Sequence, residues 1–367
     1  MFDRRHFLLV SAWLLAAAVL VPVSLAQGKR PLNHGDYDGW RSIVGQRLSN
    51  DGKFLVYGLF PQEGDGEVVI RNLVTGKEQR EPAGLRPAPT PPTPGEEGPA
   101  PEVRGATLTF SADSKTVVFS TFPPKAESDK AKKDKKPAPK DGMVIVDLAS
   151  GKTTRVERVK RFAMPEKASG LLVYLKEGPD APAGGAGNPP ATPPKGEGDQ
   201  QGGRGGRGGA AGAGGRGARP EFGTDLVVRN LADASERTIT DVVEFTLTED
   251  GKQVVYAVAA RDSAKNGVFA VKPGIGDAPV ALAEGKGKYA RLTWDENQTQ
   301  VVFLSDRDDA AAKQPKWKLY RWERQSPAAS VLASSDMAGF RQEFAISDKG
   351  TLSFSKDGTR VFFACAP

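Results

Sequence analysis

The sequence predicts an all-β fold, a β-propeller of four-stranded blades with about five complete, one partial, and insertions between strands. Three observations predict it. A ten-residue unit recurs in order along the chain, and a companion strand motif follows most copies. The plain step between neighbouring copies, from Asp250 to Asp295, is 45 residues, the length of one blade.

The first unit reads Leu48-Ser-Asn-Asp51-Gly-Lys-Phe-Leu-Val-Tyr57. Phe110 to Phe119, Leu247 to Tyr256 and Phe354 to Phe363 repeat it, each with an aspartate six residues before the closing aromatic. Looser copies run from Glu166 to Tyr174 and from Asp295 to Phe303. An apolar strand ends in Ser or Thr. Asp-Gly-Lys then turns tightly, because Gly accepts a positive φ and Asp hydrogen-bonds the backbone just ahead. A β-branched and aromatic run returns as the partner strand.

The companion motif is clearest at Val68 to Lys77, Val144 to Lys152 and Leu226 to Leu231; Val268 to Val271 and Lys318 to Trp322 hold the same place. Thr-Gly-Lys or Ser-Gly-Lys makes the turn in the first two. Two hairpins then complete one blade. Blade signatures start near Leu48, Phe110, Phe162, Leu247, Leu292 and Phe354, and the last has only its opening hairpin. The expected core is Leu55, Tyr57, Val117, Phe119, Val173, Val255, Tyr256, Val302, Phe303, Val361 and Phe363.

The N-terminus sets the compartment. Arg4 and Arg5 precede an apolar run from Phe7 to Val23, and Ser24-Leu25-Ala26 supplies the small residues of a cleavage site before Gln27. Residues 1–26 are therefore expected to be a signal peptide and residues 27–367 an incomplete propeller. The run is interrupted by Pro22 and is short for a span, so no stable membrane anchor is expected after cleavage. Arg4-Arg5-His6-Phe7-Leu8 also looks like a twin-arginine signal, leaving the export route open. Export places the mature chain in the periplasm or outside the cell. Cys365 is the only cysteine, which excludes an intrachain disulfide and a cysteine metal cluster. His34 is the only histidine after Gln27, and no Gly-x-Ser-x-Gly motif occurs.

The net charge of +6 is local. Residues 125–140 hold seven Lys against three acids, and residues 178–221 hold five basic against four acidic residues. No general basic surface of the kind that binds nucleic acid remains. Residues 125–140 are expected to be a solvated hairpin extension. Residues 178–221, with 16 Gly, 7 Pro and no aromatic, are expected to be a disordered insertion between blade strands. The Pro-rich stretch from Arg86 to Pro101 reads as an extended linker. Asp306, Asp308 and Asp309 form an acidic cluster that lacks the Gly and terminal Glu of a calcium loop and reads as a solvated turn.

The stretch from Leu48 through Asn72, the run from Asp141 to Val159 and the segment from Lys349 to Phe363 resemble the propeller of exported, acidobacterial-type members of the prolyl oligopeptidase family of serine peptidases. The resemblance covers essentially all of the chain after the signal. It implies a propeller that covers an active site and limits substrates to peptides or partly unfolded chains. It also implies a catalytic α/β-hydrolase domain as partner, whose triad matches no position here. The expectation is thus an N-terminal portion of such a peptidase, with no catalytic, cofactor-binding or metal-binding residue and no cofactor. TolB-type periplasmic propellers share the Phe-Ser-x-Asp-Gly-Lys unit, and a self-standing binding or scaffold propeller is the alternative.

Overall fold

The computed structural model describes residues 33, 40–87, 106–178, 222–274 and 276–367. The signal segment and nearly all of the two Pro- and Gly-rich stretches lie outside the described residues. Two units are distinguished, Met1–Trp40 and Arg41–Pro367. Of the first only Asn33 and Trp40 are described, and every strand belongs to the second.

The strands form antiparallel sheets in chain order. The first sheet is β1 (Arg41–Leu48), β2 (Phe54–Pro61), β3 (Asp65–Asn72) and β4 (Glu78–Leu85). The second is β5 (Leu108–Phe110), β6 (Thr116–Thr121), β7 (Gly142–Asp147) and β8 (Thr153–Glu157). A seven-stranded sheet follows: β9 (Val159–Ala163), β10 (Leu171–Lys176), β11 (Thr224–Asn230), β12 (Glu236–Leu247), β13 (Val254–Val258), β14 (Gly267–Val271) and β15 (Val280–Glu284). Next come β16 (Tyr289–Trp294), β17 (Gln300–Ser305), β18 (Lys318–Glu323) and β19 (Ser330–Ala333). The chain finishes in β20 (Ala345–Ile346), β21 (Ser353–Phe354), β22 (Val361–Phe362) and β23 (Cys365–Ala366), where β21 pairs with β22 and β20 with β23.

This is the expected series of propeller blades, with one economy. The twelve-residue β12 is the fourth strand of one unit, pairing with β11, and then the first strand of the next, pairing with β13. Its sequence is β-branched and free of Gly and Pro, so nothing breaks it. Asp241, at φ +60°, absorbs the change of direction.

Each pair of neighbouring units shares one apolar cluster. Val56, Phe60 and Ile70 meet Leu108, Phe119 and Val146 between the first two sheets. Val118 and Ile145 meet Leu172 and Val227 across the next interface. Val173 and Val228 pack with Phe245 and Tyr256, and Val255 and Val268 with Phe303 and Tyr320. Val302, Leu304 and Leu319 receive Ile346 and Leu352. Full burial of one such aliphatic side chain contributes about 2 kcal/mol. Four expected core residues are only half-buried: Leu55, Tyr57, Val361 and Phe363. They belong to the first and last units, and Leu55 and Tyr57 alternate with the residues of β2 that face the second sheet.

The insertion at 125–140 departs from expectation. It does extend a hairpin, between β6 and β7, but its first part is helical: α1 (Lys125–Lys133). Lys, Ala and Glu are good helix formers, Ala131 is buried, and Glu127 and the closing lysines suit the helix dipole. The helix is moored to the first sheet, where Asp65 Oδ1 accepts from the Lys125 amide at 2.7 Å and Glu63 pairs with its ammonium at 3.0 Å.

The repeated turn has one chemistry. Ser49 Oγ donates to Asp51 Oδ1 at 2.7 Å and accepts from the Phe54 amide at 2.9 Å. Ser111 does the same with Asp113 and Thr116, and Ser355 with Asp357 and Arg360. The residue after each aspartate is left-handed: Gly52, Gly251, Gly358 and, without a glycine, Ser114 at φ +56°. Successive turns are linked. Ser114 Oγ accepts from the Asp51 amide at 3.2 Å, the Glu249 amide donates to Gln298 at 2.8 Å, and Gln300 donates to the Gly358 carbonyl at 2.9 Å.

Lys176 and Thr224 are joined by a 2.6 Å hydrogen bond, so the chain re-enters the sheet where it left it. Replacing residues 179–221 by a two-residue turn should leave the melting temperature within about 3 °C of the parent; a loss above about 10 °C would mean that the segment packs. The turn carboxylates should make the protein acid-labile. The serine hydroxyl holds Asp51 and Asp357 below the ordinary 3.8. Burial works against Asp250, yet Thr248, the Lys252 amide and Arg324 hold it at about 2. A depressed carboxylate stabilises above its unfolded pKa and loses that contribution as pH falls through the folded value. Urea midpoints should therefore drop between about pH 4 and pH 2. Ser111→Ala should cost about 1–2 kcal/mol at pH 7.

Candidate functional site

The first strands of successive units lie side by side, β1 near β5, β12 near β16 and β16 near β21. They are irregular where they approach. Register breaks fall between Val44 and Arg47, between Val242 and Glu244, and between Ala290 and Thr293. At Gly45, with φ +63°, a Cβ would meet the Leu108 side chain at 3.1 Å and the Ala106 carbonyl at 3.3 Å. Only glycine suits that close approach.

The break in β16 frees two amides from the ladder with β17, and Glu244 of β12 takes both. Its carboxylate accepts from Arg291 N at 2.8 Å and from Leu292 N at 3.1 Å. Burial pushes the Glu244 carboxyl above its ordinary value, outweighing the two amides and the nearby Arg161 and Arg291 guanidinium groups. Arg291, at φ +65°, turns its guanidinium to the Asp348 and Lys349 carbonyls at 3.1 and 3.2 Å. Arg161 of β9 lies 5.0 Å above the Phe245 ring. One acid and two arginines thus join four units. The group can hold strands together and present positive charge; it contains no nucleophile paired with a base.

The acidic cluster singled out in the sequence is spent on local bonds. Asp306 accepts from the Lys288 amide at 2.6 Å, and Asp309 from the Lys316 amide at 2.9 Å. Asp308 binds Lys318 at 2.9 Å and the Tyr320 hydroxyl at 2.8 Å. Burial, with Asp308 alongside, pushes the Tyr320 phenol up to about 12. Among the described residues no three His, Cys, Asp or Glu side chains are placed to hold a metal. His6 and His34 lie outside the described residues, and Cys365 is exposed and free. Glu244 was not singled out from sequence. Its signal is a lone acid inside the run Val242-Val-Glu-Phe, next to a repeat unit.

No protein-family model and no curated protein matches the chain. Solved structures do. The chain is similar to a prolyl endopeptidase at 14% identity and a TM-score of 0.41, covering 87% of this chain and 39% of that one. It is similar to the β-propeller domain of the trilobed protease from Pyrococcus furiosus at 11% identity and a TM-score of 0.40, covering 90% and 79%. It is also similar to an oligogalacturonate lyase at 13% identity and a TM-score of 0.40, covering 88% and 73%. The chain thus spans well under half the length of the prolyl endopeptidase, and the propeller assignment rests on the sheets described above.

The Glu244 contacts give a measurable outcome. Glu244→Ala strips the buried Leu292 amide of its acceptor and should cost about 1–3 kcal/mol. Glu244→Gln keeps an acceptor without a desolvated charge. A raised carboxyl loses relative stability as pH climbs through its folded value, so the Gln variant should gain on the parent as pH rises above the ordinary carboxylate range. Thermal melts of the three proteins at rising pH are the check.

Proposed function

We propose that this chain is the substrate-gating propeller portion of an exported prolyl oligopeptidase-type serine peptidase and contributes no catalytic group itself. The observation that carries the reading is the family-like repeat unit, which folds as consecutive four-stranded sheets, with first strands of successive units side by side at β1 and β5, β12 and β16, and β16 and β21. In this reading, narrow access along the propeller's axis would admit an extended peptide and exclude a folded protein. The arginines there would suit the carbonyls and the terminal carboxylate of a peptide. The partner in this reading is an α/β-hydrolase domain, and the location is the periplasm or the extracellular space.

Purified residues 27–367 should not turn over proline- or alanine-containing chromogenic peptides and should stay unlabelled by a fluorophosphonate probe. Labelling of any serine would sink the claim that the chain lacks catalysis. The family assignment is tested separately by the coding DNA beyond Pro367. An open frame with Gly-x-Ser-x-Gly and a later His supports it; a stop with no adjacent hydrolase gene overturns it.

A further inference from the structure

A cleft of about 400 Å³ lies between the second sheet and the seven-stranded sheet. Ile145 and Leu231 give it apolar surface. Asp147, Lys152 and Thr154 line it from the second sheet, and Arg229, Asp233 and Ala234 from the next unit.

The interfaces before and after this one are bridged at the equivalent place. In the fourth strands β4, β8 and β12, Gln79 pairs with Ile70, Thr154 with Ile145 and Arg237 with Val228. Each partner lies two residues before the Asn or Asp that opens the turn, at Asn72, Asp147 and Asn230. The three fourth-strand positions are therefore equivalent. Gln79 donates to the Gly151 carbonyl at 3.1 Å, in the β7–β8 turn of the next unit. Arg237 donates to the Gly274 carbonyl at 3.0 Å, in the β14–β15 turn. Thr154, between them in the series, has too short a side chain to make this bond. The carbonyl it would meet belongs to Ala234. That residue holds the left-handed turn position of Gly76 and Gly151, at φ +61° against +72° and +73°. Thr154 and Ala234 both line the cleft, which opens where a short hydroxyl stands in place of a long donor.

The charges around it are unequal. Arg229 is tied to Glu236 at 2.6 Å, and Glu236 also accepts from the Tyr174 hydroxyl at 3.0 Å. Lys152 stands near Asp147 and offsets it. Asp233, next to Ala234, remains unbalanced. Its Oδ1 accepts from the Ser235 amide at 2.9 Å and hydroxyl at 2.7 Å, inside its own turn, which leaves Oδ2 for another donor.

We infer that this cleft binds the arginine side chain of an exposed segment on a partner polypeptide. The guanidinium donates to the Ala234 carbonyl, as Arg237 does to Gly274 one interface on, and to Asp233 Oδ2. Its methylene stem lies on Ile145 and Leu231. A planar fork serves a carbonyl and a carboxylate together, which a lysine ammonium does less well. The inference rests on the repeat geometry, goes beyond the peptidase reading and does not depend on it.

The probe is a fluorescein-labelled pentapeptide, Ala-Ala-Arg-Ala-Ala, with an amidated C-terminus. Titrated with the full chain at low salt, it should give saturable anisotropy with half-saturation below about 1 mM. Citrulline in place of the arginine keeps the shape without the charge and should bind about tenfold more weakly. Norleucine in that place should not bind. Asp233→Asn keeps the Oδ1 acceptor of the turn and should weaken the arginine peptide about tenfold at an unchanged melting temperature. Thr154→Gln supplies the donor from the chain itself. It should abolish binding and raise the melting temperature by about 2–4 °C. Absence of saturation up to about 5 mM would overturn the assignment. So would equal binding of the norleucine peptide, or undiminished binding by Asp233→Asn, which decides the matter even if Thr154→Gln fails to fold.

Discussion

Each four-stranded sheet in this chain carries apolar side chains on both faces, and neither face can be left in water without cost. Alternation along a strand sends neighbouring residues to opposite sides, so one sheet needs two covers. Stacking in chain order meets that need, since each cover is supplied by the next repeat. The consequence is visible in the first sheet, where the two faces of β2 differ in burial among the described residues. Val56 and Phe60 are fully buried against the second sheet, whereas Leu55 and Tyr57 on the other face of β2 are half-buried and Ile43 and Leu48 of β1 are exposed.

Stacking alone would leave the sheets free to slide. The Ser-x-Asp turn prevents this by serving two levels of structure. Within a unit, hydroxyl and carboxylate satisfy the amides of the turn. Between units, the same turn donates to or accepts from its neighbour. Ser114 shows the two roles competing. It occupies a left-handed position that glycine holds in three other copies, at a cost of about 1 kcal/mol. Its hydroxyl is the acceptor for the Asp51 amide of the preceding unit, a bond glycine could not make. Local strain is offset by registry between sheets.

This division explains what was legible in the sequence. The turns and their flanking strands could be read because their chemistry is local: a hydroxyl, a carboxylate two residues on, and a residue that tolerates positive φ. Buried Val117, Phe119, Val255 and Phe303 followed from the period of two. The remainder depends on contacts between units. The shared strand β12 has no local marker beyond the missing turn residue. The Glu244 contacts need a register break in β16 that places two amides opposite a carboxylate 47 and 48 residues away. Helix α1 forms where composition alone suggested solvated chain, because mooring by Asp65 and Glu63 and burial of Ala131 add to ordinary propensity.

The two ends of the sheets consequently differ in what they can tolerate. The turns between first and second strands are bonded from unit to unit, so a longer loop there would separate residues such as Asp51 and Ser114. The connections between second and third strands lie at the opposite end, outside that ladder. Both large insertions within sheets fall on those connections, at 125–140 between β6 and β7 and at 178–221 between β10 and β11. The acidic turn of Asp306, Asp308 and Asp309 lies on the equivalent connection between β17 and β18. The register breaks that gather Glu244 and Arg291 are in the opening halves of their strands or units, toward that same end. Length and charge can therefore change there while the hydrogen-bonded end keeps the sheets in register. Recognition built on this fold has its freedom at the end of the second-to-third strand connections.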